Sequence, residues 1–469
     1  MEKILFIIKR YIPVKIFNAL QPAYHWLLGA LAAAWYGWPS NKLIVVGITG
    51  TTGKTTSLYL MSKMLTSAGF KTGFTSTAMF NDGKDEWLND KKMTMAGRFF
   101  TQKMLKRMVK NGCQYAIVET TSQGIEQYRH RFINYDILIF TGLYPEHIEA
   151  HGSFEKYKQA KCKLFAHLKN CRTKYADDKK KVVKAESGLK KIEANRVKKT
   201  VIVNADNDHA NCFIDFWAEE KYEYKIKNLK AKSKTQINSV EYSDIKSNSQ
   251  GIEFVVNDKV KINLSLLGEY NAANAMTAVC LGLAQGIKLE KIKIGLEKIK
   301  GIPGRMEIIK NVRPAFTIIV DYAFEPEAIK KVYDVIKNLE YSKIIHVLGS
   351  CGGGRDVARR PKLGVLAAEN SDVVIVTNED PYDDDPKLII DQVAAGAENA
   401  GKKLKENLFN IEDRRAAIRK ALSIARENDI VLVTGKGCEQ AICVANGEKI
   451  KWDDRRVIKE ELKLIVDKY

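Results

Sequence analysis

From Lys42 onward, short apolar runs alternate with longer stretches in which apolar residues recur every three or four positions. The runs at 43–48 (LIVVGI), 115–118, 137–140 and 201–203 predict buried strands, and 55–68 and 101–111 predict amphipathic helices between them. Wholly apolar strands separated by helices indicate a parallel sheet covered on both faces. Residues 222–267 break this pattern: IEFVV and VKINLSLL predict an antiparallel patch within the same domain. An alanine-rich helix over 271–285 follows. After Gly301-Ile302-Pro303-Gly304 the alternation restarts, and 316–320, 344–348, 373–376 and 430–433 predict four more parallel strands. The Gly/Pro cluster reads as a hinge between two α/β domains.

At 469 residues the chain exceeds a single ordinary core, so two or three domains are expected. Its formal charge of +20 is high, with much of the excess between 161 and 234. Neither interleaved aromatics nor a nucleic-acid module accompanies those lysines, which predicts a solvated lysine-rich insertion (171–200) and no nucleic-acid partner. Eight cysteines without CxxC pairing suit reduced thiols in the cytoplasm. Residues 24–38 (YHWLLGALAAAWYGW) are too short to span a bilayer, which takes about 20 apolar residues. A nucleotide motif begins about ten residues later, which argues against a cleaved export signal. Segment 1–40 is read as an amphipathic helix that packs on the body, with peripheral membrane contact as the alternative.

The run LIVVGI leads directly into Thr49-Gly50-Thr51-Thr52-Gly53-Lys54-Thr55-Thr56 and then into a helix. Glycines allow backbone N–H groups to turn onto phosphate oxygens, and the helix N-terminus adds partial positive charge. Lys54 would reach the β- and γ-phosphates, and the Thr55 hydroxyl would hold Mg²⁺. Ile48 stands where the general pattern has its first glycine, so the loop is a variant.

The stretch GITGTTGKTT resembles the Mur ligase family, whose loop reads TGTxGKT. Glu119-Thr120-Thr121-Ser122-Gln123-Gly124 resembles its E-x-S-S-H-G segment, and 140–147 (FTGLYPEH) its FTNLxxDH segment. His151-Gly152, Tyr157 and Ala160-Lys161 fit an HG…Y…AK pattern, and 267–274 (LGEYNAAN) an adenine-side motif. Gly304-Arg305-Met306-Glu307, Asp321-Tyr322-Ala323, Gly352-Gly353-Gly354-Arg355-Asp356 and 435–439 (GKGCE) complete a set nearest the UDP-N-acetylmuramoyl-tripeptide synthetase branch.

This resemblance implies an α/β fold: a central P-loop ATPase domain with a parallel sheet (41–300), then a smaller Rossmann-like C-terminal domain (301–469). It implies an ATP-dependent ligase that activates a carboxylate as an acyl phosphate and adds an amino acid to a muramoyl-peptide acceptor. Lys54, Glu119, His147, Lys161 and Arg305 would be catalytic. Gly50, Thr51, Thr52, Gly53, Lys54, Thr55, Thr56, Asn271, Asn274, Arg305 and Asp321 would hold ATP, with Asn204 and Asp206 as weaker candidates. Mg²⁺ would be held by Thr55, Glu119, His147 and Lys161, the last carbamylated by carbon dioxide as the matching lysine is in the family. Thr121, Ser122, Arg355, Asp380, Tyr382 and Glu439 would contact acceptor and amino acid.

The chain departs from the resemblance in three places. The family's N-terminal UDP-binding domain has no counterpart in 1–40, so the acceptor is held by the insertion or a partner, or is linked differently, for example to lipid. Phe324 and Gln123 stand where the family has histidines. The selector reads Asn378-Glu379-Asp380-Pro381-Tyr382 against D-N-P-R in enzymes that take meso-diaminopimelate, and Tyr382 cannot pair with a distal carboxylate. Asp380 and the run 383–385 favour a cationic side chain such as lysine. Two rival readings are a ligase for another carboxylate acceptor, lipid-linked or polyamide, and a non-catalytic nucleotide-binding scaffold. The intact Lys54, Glu119, His147 and Lys161 argue against the scaffold.

Overall fold

Strands without a polar face must be covered on both sides, and that requirement organises the first half of the chain. The computed structural model describes residues 14–144, 151–183, 194–227, 237–309, 316–354 and 357–466. In chain order the first strands are β1 (Ile44–Thr49), β2 (Thr72–Thr75), β3 (Met79–Asn81), β4 (Glu86–Leu88), β5 (Tyr115–Glu119) and β6 (Ile137–Phe140). Fully buried β1 lies between β5 and β6, parallel to both, with Gly47 opposite Val118 and Leu138. The helices Lys54–Ser67 and Tyr270–Ala284 cover one face, burying Leu58, Met61, Met64 and Val279 with Ile44, Val46 and Ile48. The helices Arg98–Lys110 and Phe154–Leu168 cover the other, where Met104, Leu164 and Phe165 pack with Val45, Val118 and Phe140.

The lysine-rich insertion carries β7 (Lys174–Ala176), β8 (Val182–Val183) and β9 (Asn195–Val197), which form a small separate sheet. The expectation of a wholly solvated insertion is corrected here. Lys174 and Lys199 are buried and converge on Asp136, whose carboxylate also accepts from the Val45 backbone N–H at 2.8 Å. A carboxylate at the foot of β6 has no water to meet, so lysines from the insertion supply its counter-charge. Lys198, next to Lys199 in sequence, stays exposed against Glu220.

Next come β10 (Thr200–Asn204), β11 (Glu220–Ile226), β12 (Asn238–Asn248), β13 (Gly251–Val256) and β14 (Val260–Leu264). All belong to one eleven-stranded sheet, ordered β14-β13-β12-β11-β10-β6-β1-β5-β2-β3-β4. The expected antiparallel patch is therefore an edge of the central sheet, and its first strand differs from expectation. β11 runs parallel to both β10 and β12, and antiparallel pairing begins only at β12–β13. Alternating polarity reports which faces are wet, not strand direction.

A second sheet holds β15 (Glu307–Ile309), β16 (Thr317–Val320), β17 (Ile344–Leu348), β18 (Val373–Val376), β19 (Leu408–Asn410) and β20 (Ile430–Val433). Its order is β15-β16-β20-β17-β18-β19, parallel throughout except for the antiparallel edge strand β15. Residues 301–304 carry the chain from the first sheet to the second, with an isolated bridge between Ile302 and Arg305.

The N-terminal helix, Val14–Trp35, packs on the body through buried Ala32 and Ala33, and Trp26 lies edge-on to Phe132 at 5.4 Å. Its other face leaves Leu20, Tyr24, Leu27, Leu31 and Trp35 exposed as a stripe at helical spacing. Among the described residues, no helix is long and apolar enough to cross a membrane.

Asp136→Asn keeps the hydrogen bond to Val45 but strands two buried ammonium groups. Breaking a buried ion pair costs about 3–5 kcal/mol, so a loss of that order is expected in denaturant melts. A loss below about 1 kcal/mol would show that the insertion is not anchored through this carboxylate.

Candidate active site

The C-terminal ends of β1, β5 and β6 meet at one edge, where open α/β sheets place their sites. β1 runs into the loop Gly50–Gly53, and Gly53 caps the helix Lys54–Ser67 with φ of +80°. A side chain there would be strained, and its β-carbon would lie 2.4 Å from Asn274 Oδ1. The loop is tied from behind: the Thr51 N–H donates to the Gly142 carbonyl (2.8 Å), and its hydroxyl meets that of Tyr157 (3.2 Å). Lys54 Nζ donates to the carbonyls of Gly50 (3.0 Å) and Thr51 (2.7 Å), which curls it over the loop.

Glu119 ends β5 and is almost completely buried. Its Oε2 accepts from the Thr55 hydroxyl and the Thr77 N–H, both at 2.9 Å, and Oε1 accepts from the Thr77 hydroxyl at 2.9 Å. A carboxylate and a hydroxyl in contact beside a phosphate loop form a hard oxygen pair suited to Mg²⁺, which keeps several waters and phosphate oxygens as its other ligands. Among the described residues, no group of three or more His, Cys, Asp or Glu could hold a metal alone. His147 lies outside the described residues. Lys161 is buried behind the loop, with Nζ 2.9 Å from the Gly50 carbonyl and 4.5 Å from the centre of the Tyr157 ring.

Across the cleft, Arg305 extends Nη2 to within 3.5 Å of the Thr55 hydroxyl and stacks over Tyr322 at 4.5 Å. Its buried Nε has no hydrogen-bond partner among the described residues, leaving a donor for an anion in the cleft. Both Asp321 oxygens accept backbone N–H groups, from Met306 and Ala323 at 2.7 Å each. Burial pushes this carboxyl up, and the adjacent Arg305 pulls it back. Asn271 donates to the Leu267 carbonyl, and Asn274 donates to Asn271. Of this pair Asn274 touches the loop. Asn204 donates to the Thr141 carbonyl, whereas Asp206 is engaged by Tyr242 and the Ile226 N–H and serves the sheet.

The far end of the cleft is acidic. Asp380 and Glu439 share Lys436 Nζ, at 2.9 and 2.8 Å, and Tyr322 donates to Glu439 Oε1 at 3.2 Å. Lys92 enters from the first sheet's side and bridges Asp380 (2.7 Å) and Glu439 (2.6 Å). Burial would pull the Lys92 ammonium down, but the carboxylates of Glu439 and Asp380 outweigh it and hold it above the ordinary lysine value. Glu379 is buried beside them with Oε2 unpartnered among the described residues, and burial pushes its carboxyl up.

One cavity of about 890 Å³ joins these parts. It is lined by Thr51 to Thr56, Glu119, Thr121, Ser122, Asn271, Asn274, Arg305, Asp321, Asp380, Tyr382 and Glu439. Gly50 and Lys161 lie behind its wall, and Arg355, like His147, lies outside the described residues. Thr121 caps the helix Ser122–Glu126 by accepting from the Gly124 N–H, and Ser122 meets His151 at 3.0 Å. The sequence motifs contain Glu379, Lys436 and Tyr322 without a role assigned to them, and Lys92 stands outside every motif. Lys436 had a usable signal, three residues before Glu439, whereas nothing local distinguishes Lys92.

Comparison with known proteins identifies the family and the fold. The description of the Mur ligase middle domain matches residues 48–195 and 185–282, and that of the Mur ligase glutamate ligase domain matches 304–437. A UDP-N-acetylmuramyl-tripeptide synthetase of Roseiflexus sp. (strain RS-1) is 36% identical, covering 91% of this chain and 80% of the relative. A UDP-N-acetylmuramoyl-L-alanyl-D-glutamate–2,6-diaminopimelate ligase of Clostridium tetani is 32% identical, covering 92% and 80%. Among solved structures, a ligase of the latter description superposes with a TM-score of 0.55 at 24% identity, covering 91% and 79%. Mycobacterium tuberculosis folylpolyglutamate synthase complexed with ADP and AMPPCP superposes at 0.61 and 15%, covering 89% and 96%. At these identities the superpositions speak for the fold.

Gly53→Ala drives a methyl group into Asn274 at a left-handed backbone position. Strain of about 1–3 kcal/mol should weaken nucleotide binding roughly tenfold to a hundredfold by titration calorimetry. Unchanged affinity would mean that the Gly53–Asn274 contact does not shape the nucleotide site.

Proposed function

The chain belongs to the Mur ligase family, and we propose that it joins a cationic amino acid to the carboxylate of a muramoyl-peptide acceptor. As a family member it is an ATP-dependent ligase that couples an acid to an amino acid. The observation that carries the residue assignment is the single cavity with opposed ends. Phosphate-seeking groups, Lys54 and Arg305, stand at one end, and the carboxylates Asp380 and Glu439 at the other.

A carboxylate resists attack by an amine because its leaving group would be oxide. Phosphorylation by ATP turns that oxygen into phosphate, and the resulting acyl phosphate accepts the amine through a tetrahedral intermediate. The work left to the protein is to bring two anions together and stabilise the charge that develops on the transferred group. In this reading, loop N–H groups and Lys54 hold the β- and γ-phosphates, and Arg305 reaches in from the second sheet with the Nε that has no partner among the described residues. Thr55 and Glu119 hold Mg²⁺, which when bound neutralises phosphate charge. Asn274 and Asn271 flank the adenine, Thr121 and Ser122 the acceptor. Asp380 and Glu439 orient the amine.

Lys161 is read as the carbamylated lysine. Its burial against the Gly50 carbonyl argues against a role as surface charge. For the amino acid, Tyr382 offers no positive charge to a distal carboxylate, and the acidic neighbours Glu379 and 383–385 disfavour one, so lysine-like substrates rank above meso-diaminopimelate. Incubation with ATP, Mg²⁺, bicarbonate and UDP-N-acetylmuramoyl-dipeptide against an amino-acid panel should give a product heavier by one basic residue. Lys54→Ala and Lys161→Ala should each lower the rate by about 10³-fold or more, as when transition-state charge stabilisation is lost. ATP binding with no product from any amino acid would overturn the acceptor assignment.

The exposed stripe on Val14–Trp35 supports one further reading, that this helix rests on a membrane surface and presents the cavity to acceptors held there. Co-sedimentation with anionic phospholipid vesicles should be lost in Leu27→Asp/Leu31→Asp while turnover on the soluble acceptor persists. Equal sedimentation of both proteins would overturn it.

A further inference from the structure

The amine end of the cavity is already filled by the chain itself. Asp380 Oδ1 accepts from Lys436 and the Cys443 N–H, Asp380 Oδ2 from Lys436 and Lys92, Glu439 Oε1 from Tyr322, and Glu439 Oε2 from Lys436 and Lys92. Every carboxylate oxygen is engaged and only Glu439 Oε1, with its single donor, keeps an open acceptor position, so a substrate ammonium that is to bridge both carboxylates must take a donor's place. Lys436 is fully buried and Tyr322 stands within the second sheet's own framework. Lys92 is different. It belongs to the loop between β4 and the helix Arg98–Lys110, on the other side of the cleft, and it lines the cavity. Its backbone sits at φ of +56°, a left-handed conformation that is unfavourable for a residue with a β-carbon. Two ion pairs fasten the tip of its side chain across the cleft.

Charge counting points the same way. Lys92 and Lys436 balance Asp380 and Glu439 in number; with Lys92 withdrawn, these groups are left one positive charge short, which favours an incoming cation. The tip of Lys92 is a primary ammonium on a flexible stem, the same chemical group that an amino-acid substrate presents.

Resting on the assignment of Asp380 and Glu439 as the amine subsite, we propose that Lys92 is a specificity-determining residue. Its tethered ammonium occupies the amine subsite, and the amino-acid substrate must displace it. The two carboxylates accept only a group that satisfies both oxygens as well as Lys92 does, which favours amines over neutral or anionic ligands. Because Lys92 spans the cleft, its displacement also removes one of the ties between the two sheets at the step when the amine arrives, leaving the Arg305–Thr55 contact in place.

Steady-state kinetics on Lys92→Met, Lys92→Arg and Glu439→Gln tests this. Lys92→Met keeps the apolar stem and removes the competitor, so KM for the amino acid should fall by about threefold or more with KM for ATP unchanged. Lys92→Arg, with a bidentate cation in place, should leave KM at or above the native value. An amino-acid KM that is unchanged or raised in Lys92→Met overturns the proposal. Glu439→Gln separates the two assignments: it should raise amino-acid KM about tenfold or more, and if it does not, the amine-subsite reading fails instead. Lys92→Gln serves if the methionine variant does not fold. Independently of turnover, 1,5-diaminopentane should raise the melting temperature of Lys92→Met and not that of the native protein. Equal responses would count against displacement.

Discussion

Everything at the cleft depends on β1 being held between β5 and β6 in parallel register. That pairing stacks the C-terminal ends of three buried strands, so the phosphate loop, Glu119 and the Thr141 segment leave the sheet side by side. No side chain in the site could be placed without it. Glu119 meets Thr55 because Ile48 pairs with Glu119, and Thr51 is anchored because Gly142 follows β6. The apolar core fixes the geometry, and the chemistry is mounted on its rim.

The rim separates charge by function. In the proposed assignment Lys54, Arg305 and loop N–H groups stand at the phosphate end beside the Mg²⁺ candidate Glu119, Asp380 and Glu439 with their lysine partners stand at the amine end, and Arg305 and Lys92 cross the gap in opposite directions. Arg305 reaches from the second sheet to the loop of the first. Lys92 reaches from the first sheet to the carboxylates of the second. The cleft is thus tied by Arg305 and Lys92, through charges that substrates would contest.

Much of this was legible in the chain. The strands could be read because a wholly apolar run of four to six residues between helices has few other places to go, and the phosphate loop because Gly53-Lys54-Thr55 follows one of them. Other features could not be read, for a physical reason. Lys92 and Glu439 are far apart in sequence, and an ion pair between them follows from how two sheets meet. Lys174 and Lys199 look like surface charge until Asp136 is seen beneath them. Alternation over 222–267 revealed a half-wet edge but not that β11 runs parallel to its neighbours. Phe324, noted as a departure, lies beside Tyr322 and under the Arg359 guanidinium, so an aromatic contact fills that position in this chain.

The anchoring of the insertion by Asp136 also bears on how such a chain can change over generations. An insertion held only by surface contacts could be trimmed or exchanged freely. Here its lysines neutralise a charge in the floor of the first sheet, so position 136 and the insertion are coupled energetically. A lineage that shortens the insertion must first replace the aspartate with an uncharged residue, and the order of those two events is set by the cost of a bare carboxylate in the core.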